Sequence, residues 1–138
     1  MSYLSIKTFM GAHLATNWTS TDYQLLAENN PPPNDRTRTW IRFSIRPTDS
    51  GDMEIGGVRR RTEGLLWFQI FVPENRGTTD AFKVGDLLCG ILNNKAFTTS
   101  DGFLRTRSIG LQFIGPETTG YQLWRCTVPF THEDNQPI

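Results

Sequence analysis

The chain is short of cysteine, carries no excess charge of either sign and has no long apolar run, and each shortage closes a class of function. Cys89 and Cys126 are the two cysteines in 138 residues, far apart in sequence and each in an apolar pattern. They read as small buried hydrophobes rather than as a disulfide framework, metal ligands or nucleophiles. A reducing compartment fits. Fourteen basic residues against fourteen acidic ones leave no overall field to draw the chain to nucleic acid or to an anionic membrane. Local patches must carry any such role. No apolar run approaches the roughly 20 residues of a membrane span, and MSYLSIKTFMGAHLATNW at the start lacks a basic leader followed by a long apolar core. The expectation is a soluble protein made in the cytoplasm, with no membrane partner.

Catalytic patterns are also missing. Gly56 and Gly57 lie in a hairpin and lead no helix, so they form no phosphate loop. His13 and His132 stand near the two ends of the sequence, and no serine lies in a nucleophile turn between glycines. Asp49 with Asp52, and Glu133 with Asp134, are neighbouring carboxylates in stretches that read as solvated loops, where nothing would raise a pKa. His13 has no second ligand at metal spacing and reads as a packed or half-exposed histidine. The expectation is a protein that is not an enzyme, with no catalytic, cofactor-binding or metal site.

What is present is a set of well-punctuated strands and two helices. From Leu65 to Val72 both alternating sets are apolar, Leu65, Trp67 and Phe71 on one side and Leu66, Phe68, Ile70 and Val72 on the other, broken by Gln69. That pattern predicts a strand covered on both faces at the centre of the sheet, entered by a turn at Gly64 and ended by Pro73. WIRFSIR, Trp40 to Arg46, alternates strictly and reads as a half-buried strand ended by Pro47. The loop PTDSGDMEIGG then makes the pair a long antiparallel hairpin with a projecting tip. Ser2 is placed to cap a helix over Tyr3 to Thr16 whose stripe is Ile6, Phe9, Met10, His13 and Leu14. A second helix starts at Thr78 or Thr79 and ends at Asn93 or Asn94, with Ala81, Val84, Leu88, Ile91 and Leu92 facing the sheet. Gly85 and Gly90 within it suggest close approach to strand backbone.

Tyr23 to Leu26 reads as a short extended piece along a sheet edge. Phe103 to Arg105, Ser108 to Ile114 and Tyr121 to Phe130 read as strands, with Pro129 fitting only where central pairing has been left and THEDNQPI as a polar, frayed tail. The order predicts an α+β fold: an antiparallel sheet with a long projecting hairpin, one helix packed across it and an N-terminal helix, in a single domain over 1–138.

The strongest charged feature is the run Arg59, Arg60, Arg61. One reading is a solvated strand entrance with an arginine covering a tryptophan stem. The other, of equal weight, is contact: Arg42, Arg46 and the run meet across the hairpin and offer a stripe to a partner's carboxylates or, second, to phosphates. Met53 and Ile55, two apolar residues in an otherwise polar loop with no local core to enter, extend this candidate assembly surface.

Three stretches, TWIRFSIRPTDSGDMEIGG, RRRTEGLLWFQIFVPENRGTTDAFKVGDLLCGIL and YQLWRCTVPF, carry a resemblance. A Trp-led strand is followed by a glycine-bearing hairpin, an Arg-x-x-Gly step into an apolar strand ending Phe-x-Pro, a glycine, a helix and a strand ending Val-Pro-Phe. In order and spacing this resembles the tail-terminator proteins of long-tailed bacteriophages, their minor tail or tail completion group, over about Glu28 to Phe130. ENNPPPND departs from that family's proline-bearing approach to the first strand. The resemblance implies a small virion protein, assembled in the host cytoplasm, that forms a homo-hexameric ring on the head-proximal end of the tail tube. There it would stop tube growth and meet the head–tail connector or neck protein, while DNA passes through the ring without sequence-specific binding. Its partners would be itself, the tail tube protein and the connector, with no cofactor. Another neck or head-to-tail joining ring protein would share the fold. From a different class, a small cytosolic enzyme could use Arg59 to Arg61 to hold an anionic substrate in a sheet-lined pocket.

Overall fold

The computed structural model describes residues 2–18, 23–27, 38–52, 60–74, 78–99, 102–116 and 120–134. In chain order the elements are α1 (Ser2–Asn17), β1 (Gln24–Ala27), β2 (Trp40–Asp52), β3 (Arg60–Pro73), α2 (Thr79–Leu92), β4 (Ala96–Thr98), β5 (Gly102–Thr106), β6 (Gly110–Pro116) and β7 (Tyr121–Asp134). The strands form one curled, antiparallel-dominated sheet in the order β1-β2-β3-β7-β5-β4. β6 pairs with the first half of β7 while β5 pairs with its second half. Among the described strands only β1 runs parallel to its neighbour. β3 is central, as its apolar length predicts, and antiparallel β2 and β7 flank it.

One face of this sheet buries the core. Ile41 and Phe43 of β2, Leu66, Phe68, Ile70 and Val72 of β3, and Trp124, Cys126, Val128 and Phe130 of β7 meet Ile6, Met10 and Leu14 of α1 and Ala81, Val84, Leu88 and Leu92 of α2. Each of the valine, leucine, isoleucine, methionine and phenylalanine side chains among them contributes about 1.5–3 kcal/mol by leaving water. Both predicted helical stripes therefore point where their 3.6-residue spacing sends them. Ser2 lies within α1, not before it. Thr78 holds the cap position of α2 without a side-chain hydrogen bond. Asp80 in the first turn of α2 accepts hydrogen bonds from Thr39 Oγ1 at 2.7 Å and Tyr23 Oη at 3.2 Å, fastening that helix end to the start of β2 and the approach to β1. At the other end Asn94 takes a left-handed conformation, and Asn93 Oδ1 accepts from the Ile109 amide at 2.9 Å.

Several expectations are corrected. Pro47 does not end β2: the strand continues through a bulge between Pro47 and Asp49 to Asp52, tolerated because β1 pairing has stopped at Phe43 and prolines fit at edges and bulges. Gly64 is inside β3, not a turn before it. A Cβ there would lie 2.6 Å from the Arg46 carbonyl oxygen and 2.8 Å from the Phe130 ring, so glycine is required by close approach. In α2 the expected close approach to strand backbone is absent: a Cβ at Gly85 would meet only the Leu111 side chain at an ordinary 3.5 Å, and Gly90 faces open space.

Pro129 stays in β7, paired with Leu65. Its carbonyl accepts from Arg107 at 2.9 Å, so its nitrogen faces the interruption between β5 and β6, where no ladder amide is needed. The supposed frayed tail is ordered as far as Asp134, with His132 fully buried 3.0 Å from Thr99 Oγ1. The short strand β4 had no signal of its own.

The strand covered on both faces is corrected in part. Leu65 and Trp67 of β3, with Gln69, are only half-buried, because both helices lie on the other side, whereas Phe71 on the same side is buried in a second cluster with Trp40 and Tyr121. As far as Asp52 and Arg60 the β2–β3 hairpin belongs to the sheet, since β7 accompanies β3 to Asp134. Its tip, with Met53, Ile55 and Arg59, falls outside the described residues.

Candidate functional site

The alternation that sends half of each strand to the core sends the other half to the opposite face, and the registers bring distant residues into rows. One row is Arg42, Gln69, Arg125 and the next is Ser44, Trp67, Thr127, across β2, β3 and β7. Farther along, Arg61, Glu133 and Phe103 form a row, as do Glu63, Thr131 and Arg105, across β3, β7 and β5. Neighbouring strands lie about 4.8 Å apart, which sets Arg42 and Arg125 roughly 10 Å from each other.

Guanidinium groups and rings cover one another on this face. Arg42 lies 5.1 Å from the Trp40 ring centroid and 5.7 Å from that of Phe71. Arg46 and Arg125 lie 5.6 and 5.0 Å from the centroid of Trp67. Trp40 and Phe71 stack at 4.2 Å, and Tyr121 meets the edge of Phe71 at 6.3 Å, making a small second cluster with Leu26 and Leu123 against it. Each cation–ring contact contributes about 0.5–1 kcal/mol where water has access and more where it does not. The opposing cost is visible: Nε of Arg42, Nε of Arg125 and Nε1 of Trp40 are shut from water with no hydrogen-bond partner, each a penalty of about 1–3 kcal/mol.

At the other end of the face Arg61, Glu63, Phe103, Arg105, Arg107, Thr131 and Glu133 line a cleft of about 150 Å³. Arg61 and Glu133 form an ion pair at 3.2 Å, with side chains 48% and 40% exposed. At that exposure it is worth at most about 1 kcal/mol. Arg105 and Arg107 have no carboxylate partner among the described residues. The described side chains of the whole face thus include six arginines, Arg42, Arg46, Arg61, Arg105, Arg107 and Arg125, against two acids, Glu63 and Glu133. No described element packs over its Trp67 end.

The structure brings Arg42, Arg46 and Arg61 onto this face, as the strand patterns predict. Arg60 is placed by its backbone, opposite Asp52 and Asp134. Sequence reasoning missed Arg105, Arg107 and Arg125. For Arg125 the signal was present, since it alternates with buried Trp124 and Cys126; for Arg105 and Arg107 it depended on β5 reaching the far half of β7.

The remaining features offer little chemistry. An apolar groove of about 280 Å³ between α1 and β2 is lined by Tyr3, Ile6, Lys7, Ala27, Phe43 and Ile45 among others. His13 packs between Phe9 and Phe97. Burial pushes the Cys126 thiol up to about 12; burial and then Asp86 raise that of Cys89. Both thiols stay protonated at neutral pH. Among the described residues no group of three or more His, Cys, Asp or Glu could hold a metal ion, and no helix is long and apolar enough to cross a membrane. On the helix side Phe82 and Phe113 both set their rings against Trp124, at 5.8 and 5.1 Å, and both stay half exposed.

No family model matches the chain, and no curated protein matches it. A solved structure whose name carries no function matches 96% of this chain and 96% of its own, with a TM-score of 0.75 at 15% sequence identity. The two chains share a fold.

Proposed function

We propose that this protein is a phage tail terminator, a ring-forming structural protein that caps the head-proximal end of the tail tube, stops its growth and forms the joining surface for the head connector. The sequence stretches that resemble that family fall on β2, β3, α2 and β7, the frame of the sheet and the helix across it. The observation that carries an assembly role is the arginine–aromatic sheet face. Surface built from Arg, Trp and Phe has the composition of protein contact centres, and the guanidinium groups of Arg42, Arg46 and Arg125 are braced by rings. The hairpin tip with Met53, Ile55 and Arg59 would project beyond the sheet and reach the neighbouring subunit or the tube. In this reading the protein is not an enzyme, carries no cofactor and resides in the virion, and DNA passes through the ring without base contacts.

The test is electron microscopy of particles with and without the protein. Six-fold density at the head-proximal tail end, and overlong or unjoined tails when the protein is missing, support the reading. A single copy on the side of the tube, or tails of normal length and attachment without it, sinks it.

A further inference from the structure

We propose that the cleft over the far half of β7 binds a phosphate group that still carries a proton, with Arg105 and Arg107 holding its negative oxygens and Glu63 accepting a hydrogen bond from its hydroxyl. The site goes beyond the tail-terminator reading and does not depend on it. Thr131 is the floor of the cleft, and the registers set Arg105 of β5 on one side of it and Glu63 of β3 on the other. Strand spacing places those two flanking Cα atoms roughly 10 Å apart. Both side chains line the space of about 150 Å³ between them without forming an ion pair across it. Arg107 follows Arg105 on the same side of the strand, and its amide donates to the Pro129 carbonyl at 2.9 Å, which fixes its backbone beside the cleft.

The charges of this cleft select the ligand. Arg61 and Glu133 pair with each other at its end and largely cancel. What remains to meet a ligand is two cations, one carboxylate and one hydroxyl. Arg105 and Arg107 stand roughly 7 Å apart along the strand and repel each other, and an oxyanion between them relieves that repulsion while receiving paired N–H donors from the guanidinium forks. Glu63 narrows the choice further. Sulfate has no proton at neutral pH and would set oxygen lone pairs against that carboxylate, whereas inorganic phosphate keeps a proton and donates it to Glu63. A carboxylate ligand is also unprotonated there, and its two oxygens cannot serve the arginines, Thr131 and Glu63 together as four tetrahedral oxygens can. The cleft is smaller than the roughly 300 Å³ at which pockets begin to take drug-sized ligands, so it admits the phosphate group alone, free or at the end of a larger molecule.

Titration of inorganic phosphate into the isotope-labelled protein near neutral pH, followed by calorimetry and by amide chemical shifts, tests this. Wild type should show one saturable site with shifts centred on Glu63, Arg105, Arg107 and Thr131, and should bind sulfate about tenfold more weakly. Arg107→Gln should weaken phosphate binding about tenfold or more through loss of a charge-assisted hydrogen bond. If that variant does not melt cooperatively, Arg105→Gln takes its place. Glu63→Gln gives a readout that a mere patch of positive charge would not: its side-chain amide donates to sulfate, so sulfate should gain affinity and the preference for phosphate should disappear. O-phosphoserine near pH 6, where a monoester is about half protonated, separates the two sources of the group. Binding as tight as that of inorganic phosphate assigns the site to the phosphoryl end of a larger molecule, rejection assigns it to the free ion, and both uphold the site. Shifts that never saturate, equal affinity of wild type for sulfate and phosphate, or an unchanged ratio in Glu63→Gln overturn it. So does a DNA oligonucleotide that engages Arg42 and Arg125 as strongly as Arg105, since the arginines then serve a polyanion along the whole face.

Discussion

Arg125 holds its guanidinium 5.0 Å from the ring centroid of Trp67, with Arg46 at 5.6 Å from the same ring. Among the described residues Trp67 is thus covered by two cations rather than by a second layer of structure. Trp67→Ala should cost about 1–3 kcal/mol, the partial burial plus two cation–ring contacts. Phe68→Ala, one residue along and fully buried, should cost about 3–5 kcal/mol. Urea unfolding of the two variants decides; equal losses would mean that the outward face is packed as tightly as the core.

Gly64 and Gly90 should respond to alanine with opposite signs. At Gly64 the new methyl meets a backbone oxygen at 2.6 Å, which cannot rotate away, so Gly64→Ala should destabilise by about 1–3 kcal/mol. At Gly90, inside α2 with nothing within 4 Å, Gly90→Ala should stabilise by about 0.5–1 kcal/mol through lower backbone entropy in the unfolded chain. Midpoints in urea are the readout.

Asp80 links three elements with one carboxylate. Asp80→Ala removes acceptors for Thr39 and Tyr23 and a negative charge from the α2 N-terminus, for an expected loss of about 1–3 kcal/mol. Hydrogen exchange should rise locally in β1 and the first turn of α2. An unchanged exchange pattern would show that the helix end is held by apolar packing alone.

Cys126 should make the protein less stable in alkali. Its thiol is raised from 9.0 to about 12 in the fold, first by burial and then by Cys89. Above pH 9 the unfolded chain releases this proton while the folded chain keeps it, so stability falls as pH rises from about 9 to about 12. Cys126→Ala should flatten that part of the stability–pH curve relative to wild type, at the expense of some packing at all pH values. In the native protein near pH 8, thiol reagents should spare Cys126; rapid labelling there would contradict its burial.

The strands and helices with one apolar face were readable because period and burial coincide. α2 was expected from Thr78 or Thr79 to Asn93 or Asn94 and runs Thr79–Leu92; β2 alternates as WIRFSIR requires. β3 was readable as central, but not that its second side is covered only at the Phe71 end, since Leu65 and Trp67 are as apolar as the residues facing the core. Which face is covered depends on where α1 and α2 dock, and no local pattern states that. The same limit explains Pro47 and Pro129. A proline forbids one amide bond, but only the neighbouring strands decide whether an amide was wanted there. Half of the arginine face, Arg42, Arg46 and Arg61, followed from alternation on a hairpin. Arg105 and Arg107 joined it only through long-range pairing, and Met53, Ile55 and Arg59 lie outside the described residues.

β7 borders β3 on one side and both β5 and β6 on the other, yet it comes last of the described strands. Its pairs with β3 join residues as distant in sequence as Arg60 and Asp134. Until β7 has been synthesised, β3 keeps an open edge and β5 and β6 have no strand to hold them in line. The chain should therefore complete its sheet only once β7 has been synthesised. In vitro it should refold on the millisecond-to-second scale of non-local β topologies rather than the microseconds of helical bundles. An open apolar edge during that interval also makes the nascent chain a client for chaperones and a hazard at high expression levels.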